Sequence, residues 1–199
     1  MSQHYDTSFT PLQFRAGRPR WLQWLGRVVL RVSGWQVMGG LPEDQTRLVM
    51  AVAPHTSNWD FAVGFQVALA IDLRAYWLAK KSLFISGFRR LMYWAGGIAV
   101  DRSAPEGLID DVATKVSQHE GVVIVITPEG TRSRVEKWKT GFLRIARELE
   151  CPVMLVGFDY KRKIIDLGRQ FFPSGDDQRD VAEIKDYFRQ FTAKNPENF

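Results

Sequence analysis

The run Gly121-Val122-Val123-Ile124-Val125-Ile126-Thr127 constrains this chain more than any other stretch. Its centre is apolar and β-branched without alternation, the pattern of a strand buried on both faces. Such a strand needs helices on both sides of its sheet. Arg47–Ala53 and Pro152–Phe158 repeat the pattern more loosely, and Trp35–Met38, Ala75–Ala79, Ile98–Val100 and Lys161–Leu167 read as further strands. Between them lie helical patterns at Trp59–Leu73, Ser86–Trp94, Ala104–Glu120, Gly141–Glu150 and Gln178–Ala193, with Thr140 placed to cap the fourth. The alternation predicts an α/β fold. At 199 residues, one domain with a proper core is the simplest reading.

Two strands empty into polar loops. Leu48–Ala53 leads into Pro54-His55-Thr56-Ser57-Asn58-Trp59-Asp60, and Val122–Ile126 leads into Pro128-Glu129-Gly130-Thr131-Arg132-Ser133. Loops on a rigid scaffold are where catalytic groups concentrate. Ser57 and Asn58 suit a helix N-cap, and a carboxylate in the first turn suits the helix dipole. Spacing alone leaves two readings of Asp60: a capping residue, or the acceptor that orients His55 so that its other nitrogen can take a proton.

The motifs together are more specific. His55 to Asp60 resembles the H-x4-D motif of the glycerolipid acyltransferases, the family typified by 1-acyl-glycerol-3-phosphate acyltransferase. Pro128 to Ser133 resembles that family's P-E-G-T-R-S motif residue for residue. Gly96-Gly97-Ile98-Ala99-Val100-Asp101-Arg102 is similar to its second motif and Pro152–Val156 to its fourth, in the family's order. Ala99 departs from the bulkier residue common there. The resemblance implies a single α/β domain with a mixed, mostly parallel sheet flanked by helices. It also implies transfer of a fatty acyl group from a thioester donor, acyl-CoA or acyl carrier protein, to a hydroxyl of a lysophospholipid. His55 would be the general base, oriented by Asp60, with no acyl-enzyme because the substrate's own hydroxyl attacks. Arg102 would take the acceptor phosphate, and Glu129, Gly130, Thr131 and Arg132 would line the acceptor site, Glu129 ordering its loop. Lys80, Lys81, Lys137 and Lys139 are secondary candidates for lipid or donor phosphates; a solvated face is the competing reading. Another lyso-lipid or alcohol acceptor is the alternative substrate class.

Net charge +5 and a pI near 9.5 favour an anionic partner. From Phe14 to Trp35, a helix would place Trp21, Leu25, Val28, Val29 and Val32 on one side and Arg20, Gln23, Arg27 and Arg31 on the other. That pattern suits a helix lying in a membrane interface, and equally one covering the sheet with its apolar side. Residues 1–35 therefore read as an arm and an amphipathic helix, and 36–199 as the acyltransferase domain. Residues 1–13 are expected to be irregular and loosely held. No apolar run approaches the roughly 20 residues that span a bilayer. The lone Cys151 suits a reducing compartment. The expected location is cytoplasmic, at the face of the membrane.

No metal, cofactor or nucleic-acid partner is expected. The histidines His4, His55 and His119 lack ligand spacing, and no P-loop or G-x-S-x-G elbow occurs. The non-enzyme alternative is a catalytically silent basic module that binds membranes.

Overall fold

The computed structural model describes residues 9–87, 89–100 and 121–199. Its strands are β1 (Gln36–Gly39), β2 (Arg47–Ala53), β3 (Ala75–Lys80), β4 (Gly97–Val100), β5 (Val122–Ile126), β6 (Val153–Asp159) and β7 (Ile164–Phe171). Its α-helices are α1 (Arg20–Ser33), α2 (Asn58–Ala70), α3 (Arg89–Trp94), α4 (Gly141–Glu148) and α5 (Asp177–Phe188). The strands form one sheet in the order β1-β7-β6-β2-β5-β3-β4. All neighbouring pairs are parallel except β6–β7, an antiparallel hairpin. This is the single α/β domain expected, with the mixed, mostly parallel sheet.

The continuous apolar strands stand in the middle. β2, β5 and β6 lie side by side, and their residues divide between two cores. Val49, Ala51, Ile124, Val153 and Leu155 face α4 and α5; Leu48, Met50, Val123, Met154 and Val156 face α1 and α2. Burial on both faces explains why these strands show no polar alternation.

The arm is more ordered than its composition suggests. Phe14 is fully buried, and Asp72 beyond α2 accepts from the N–H groups of Gly17 (3.1 Å) and Arg18 (2.9 Å). From Phe9 onward the chain is therefore strapped to the domain rather than loose; residues 1–8 lie outside the described residues.

α1 does not cover the sheet with its apolar side. It crosses α2 at Gly26, where a Cβ would sit 2.7 Å from the Ala70 nitrogen. That close approach turns Gln23, Gly26 and Leu30 inward, and the Arg27 guanidinium donates to the Ala70 carbonyl (3.1 Å). Trp21, Trp24, Leu25, Val29 and Val32 consequently face outward.

Several boundaries also differ from expectation. α3 begins at Arg89 rather than Ser86. Thr140 precedes α4 but makes no side-chain cap. α5 stops at Phe188, and the chain then runs back across the sheet. In that return Phe191 lays its ring over Gly157 of β6, where a Cβ would come within 2.2 Å of the ring. Gly157→Ala is expected to destabilise the fold by about 2–3 kcal/mol, because a buried ring has nowhere to retreat. Thermal melts would show this as a drop of roughly 5–10 °C.

Candidate active site

The sheet brings three chain reversals to one edge. β6, β2 and β5 are adjacent and parallel, so their C-terminal ends deliver Tyr160, His55 and Glu129 to the same rim. Crevices beyond the carboxyl ends of parallel strands are where open α/β sheets bind ligands.

The loop after β2 organises itself around one carboxylate. Ser57 is the N-cap of α2, its hydroxyl accepting from the Trp59 N–H (3.2 Å). Asp60, the third helical residue, reaches back so that its Oδ2 accepts from the N–H groups of Ser57 and Thr56, each at 2.9 Å. This is a capping box, the Ser57 side chain accepting from the first turn of the helix while the Asp60 side chain accepts from the Ser57 N–H. The same Oδ2 lies 3.0 Å from Nδ1 of His55. The two readings of Asp60 are thus one arrangement: the cap fixes the carboxylate, and the carboxylate fixes the imidazole. Oδ1 accepts from the Tyr160 hydroxyl at 2.5 Å.

Asp60 is buried, with 4 % of its surface exposed. Burial alone would raise its carboxyl, but the donors from His55, Tyr160 and Ser57 outweigh that and hold it below the ordinary carboxylate range. It is therefore an anion that accepts at every contact. Nδ1 of His55 must carry the proton, which leaves Nε2 as the ring's free acceptor. The His55 side chain keeps a fifth of its surface open to solvent.

Glu129 is buried in the turn after β5. Its Oε1 accepts from the backbone N–H of His55 at 2.8 Å, tying the two motif loops together. Its Oε2 is buried with no hydrogen-bond partner among the described residues. Burial pushes its carboxyl up to about 7, against the opposing pull of the His55 N–H. Beyond it the turn opens to solvent: Gly130, with φ +67°, Thr131 and Arg132 are exposed. The left-handed backbone at Gly130 favours glycine, and the Lys139 stem lies along it, 3.3 Å from where a Cβ would be.

The expected residues fall into three groups. His55, Asp60 and Glu129 are brought together by direct hydrogen bonds, with Gly130, Thr131, Arg132 and Lys139 in or against the adjoining turn. Lys137 is exposed beyond that turn, and Lys81 is exposed past the end of β3, whose last residue is Lys80. Arg102, Asp101 and the helix expected at Ala104–Glu120 lie outside the described residues. Among the described residues, no group of three or more His, Cys, Asp or Glu side chains is placed to hold a metal ion.

Tyr160 and Asn195 escaped the sequence reading. Asn195 donates through its backbone to the Thr56 hydroxyl (3.2 Å) and through its side chain to the Thr56 carbonyl (2.9 Å). Tyr160 had one available signal: it ends a buried strand at the same rim as His55. Asn195 had none, since its contact spans 139 residues of sequence.

Comparison with known proteins agrees with this architecture. No curated protein matches the sequence. The crystal structure of the 1-acyl-sn-glycerophosphate (LPA) acyltransferase PlsC from Thermotoga maritima is similar in fold, with a TM-score of 0.61 and 17 % sequence identity. The similarity covers 86 % of this chain and 76 % of that one. The family model for the acyltransferases matches residues 41–159, more than half of the chain and the whole of both motif loops. The chain is therefore a member of the acyltransferase family.

Proposed function

We propose that this acyltransferase moves a fatty acyl group from a thioester donor, acyl-CoA or acyl carrier protein, to a hydroxyl of a lysophospholipid such as 1-acyl-glycerol-3-phosphate. The observation that carries the reading is the 3.0 Å contact between His55 Nδ1 and Asp60 Oδ2, which leaves Nε2 as a base. The structural neighbour is a lysophosphatidic acid acyltransferase, which supports this acceptor class.

In the proposed reaction, Nε2 takes the acceptor's hydroxyl proton as its oxygen attacks the thioester carbonyl. Asp60 stabilises the imidazolium that forms. The tetrahedral intermediate collapses, the C–S bond breaks, and the imidazolium returns the proton to the leaving thiolate. The products are an ester and a free thiol; no residue of the chain is acylated and no cofactor takes part. Glu129 holds the loop, while Gly130, Thr131 and Arg132 offer donors to the acceptor, and Arg102 is assigned its phosphate. Lys80, Lys81, Lys137 and Lys139 are assigned to donor or lipid phosphates. Incubating enzyme, palmitoyl donor and lysophosphatidic acid, followed by lipid mass spectrometry, tests this reading: a diacyl product is expected. A free fatty acid as the sole product would contradict it.

The proposal places the enzyme at the cytoplasmic face of an anionic membrane. Trp21 and Trp24 of α1 are 64 % and 62 % exposed, and Val32 is 84 % exposed, with Arg20 and Arg31 flanking them. An outward Trp/Leu/Val stripe bordered by arginines fits a bilayer interface. The segment from Lys81 to Trp94 adds exposed Ile85, Leu91, Tyr93 and Trp94 beside Lys81, Arg89 and Arg90, with no acid among them. No described helix is long and apolar enough to cross the bilayer. Combined Trp21→Ala and Trp24→Ala substitutions are expected to weaken binding to phosphatidylglycerol-containing vesicles about tenfold or more. Because both rings are mostly exposed, thermal stability should change little. Unaltered flotation of the variant with such vesicles would remove α1 from the membrane contact.

A further inference from the structure

The motif loop is held from behind by residues that lie beyond the family match, which ends at Asp159. Tyr160 donates its hydroxyl to Asp60 Oδ1, and its own backbone N–H donates to the Thr192 carbonyl at 2.8 Å. Its ring stands edge-on to Trp35, with centroids 4.9 Å apart. The C-terminal segment also fixes Thr56 through both bonds from Asn195. The phenol is thus placed by Trp35 and Thr192, independently of the loop it touches.

We propose that Tyr160 is a positioning residue for the His55–Asp60 pair, locking the carboxylate's rotation and moderating its hold on the imidazole. Oδ2 of Asp60 serves three donors, from Thr56, Ser57 and His55, and turning the carboxylate would weaken all three. Tyr160 holds the other oxygen from the turn that follows β6, so the rotation is fixed at both ends. A donor at Oδ1 also disperses negative charge that would otherwise bear on His55. Among the described residues, the titratable and charged groups facing this cluster are His55 from the loop, Glu129 from the β5 turn, and Lys194 from the C-terminal segment. Lys194 lies 4.6 Å from the centre of the Trp59 ring and 5.8 Å from that of Tyr160. Nearby, Arg162 is engaged by Asp159 at 2.6 Å. Among the described residues, the phenol is the one donor to the Asp60 carboxylate from outside the loop.

This inference rests on His55 acting as the base, and the experiment separates the two. Tyr160→Phe removes the hydroxyl and keeps the ring. The expected result is a fall in kcat of about tenfold with KM values for donor and acceptor within about twofold, since misplacement of a catalytic group acts on the transition state. Without the phenol, more of the carboxylate's negative charge bears on the imidazole. The acidic limb of the kcat/KM profile should therefore move to higher pH. A merely structural tyrosine would move stability but not that limb. If Tyr160→Phe does not fold, 3-fluorotyrosine introduced at position 160 keeps the shape and donates more strongly, and the limb should move to lower pH. A limb that does not move in whichever of these proteins folds, while His55→Ala is inactive, would overturn the role of Tyr160 and leave the base intact. Activity retained by His55→Ala would overturn both.

Discussion

Replacing His55 by alanine is expected to lower acceptor-dependent acyl transfer by about 10³-fold, within the range that a positioned general base contributes. Among the described residues, the polar partner of the side chain is Asp60, and a fifth of the side chain is solvent-exposed, so the fold should survive. KM values should change little, because the imidazole acts on the proton in flight rather than on the ground-state ligands. Asp60→Asn is expected to be nearly as damaging, and for two reasons. An amide cannot stabilise the imidazolium as a carboxylate does, and its NH2 group would face either the Tyr160 hydroxyl or the N–H groups of Thr56 and Ser57. The asparagine variant should therefore also be less stable, by roughly 1–3 kcal/mol, whereas His55→Ala should not. Initial rates with saturating donor and acceptor, read beside thermal melts, separate these effects. A His55→Ala enzyme that kept more than a tenth of the wild-type rate would remove the base from the mechanism.

The second large effect is on stability. The carboxyl of Glu129 is pushed up to about 7 by burial, from an ordinary value of 4.5. Below pH 4.5 it is protonated in both folded and unfolded chains and contributes no pH dependence. Between about 4.5 and 7 the unfolded chain releases the proton and the folded one keeps it, so stability falls as pH rises. Above 7 the folded protein carries a desolvated charge, a cost of about 3 kcal/mol relative to low pH. Glu129→Gln removes that charge while its carbonyl can still accept from the His55 N–H. It is expected to raise the melting temperature by about 6–10 °C at pH 8 and to leave it nearly unchanged at pH 4. Melts of both proteins across that range check the sign. If Glu129→Gln were less stable at pH 8, the buried Oε2 would have to be anchored as an anion in solution.

Much of the scaffold was readable because it obeys simple burial rules. β2, β5 and β6 are covered on both faces, and a strand so placed must be continuously apolar, which is a strong local signal. His55, Asp60 and Glu129 stood out because they follow those strands directly. The outward face of α1 was not readable. Its apolar stripe has the same period whether it meets a sheet or a membrane, and the decision lies in Gly26, which lets α2 approach the opposite side. Thr140 has the chemistry of a cap without making the bond, since tertiary placement of the preceding loop decides that geometry. The pairings made by Tyr160 and Asn195 were out of reach for a different reason. Their contacts with Asp60 and Thr56 span 100 and 139 residues, and no local pattern records such pairings.

The measurement that bears most directly on the account is free-thiol release from palmitoyl-CoA and from palmitoyl carrier protein, with and without lysophosphatidic acid, in anionic liposomes. Wild type is expected to release thiol from at least one donor only when the acceptor is present, and His55→Ala to release almost none. Thiol release that is equal with and without acceptor would contradict direct transfer to a hydroxyl acceptor and point to thioester hydrolysis instead.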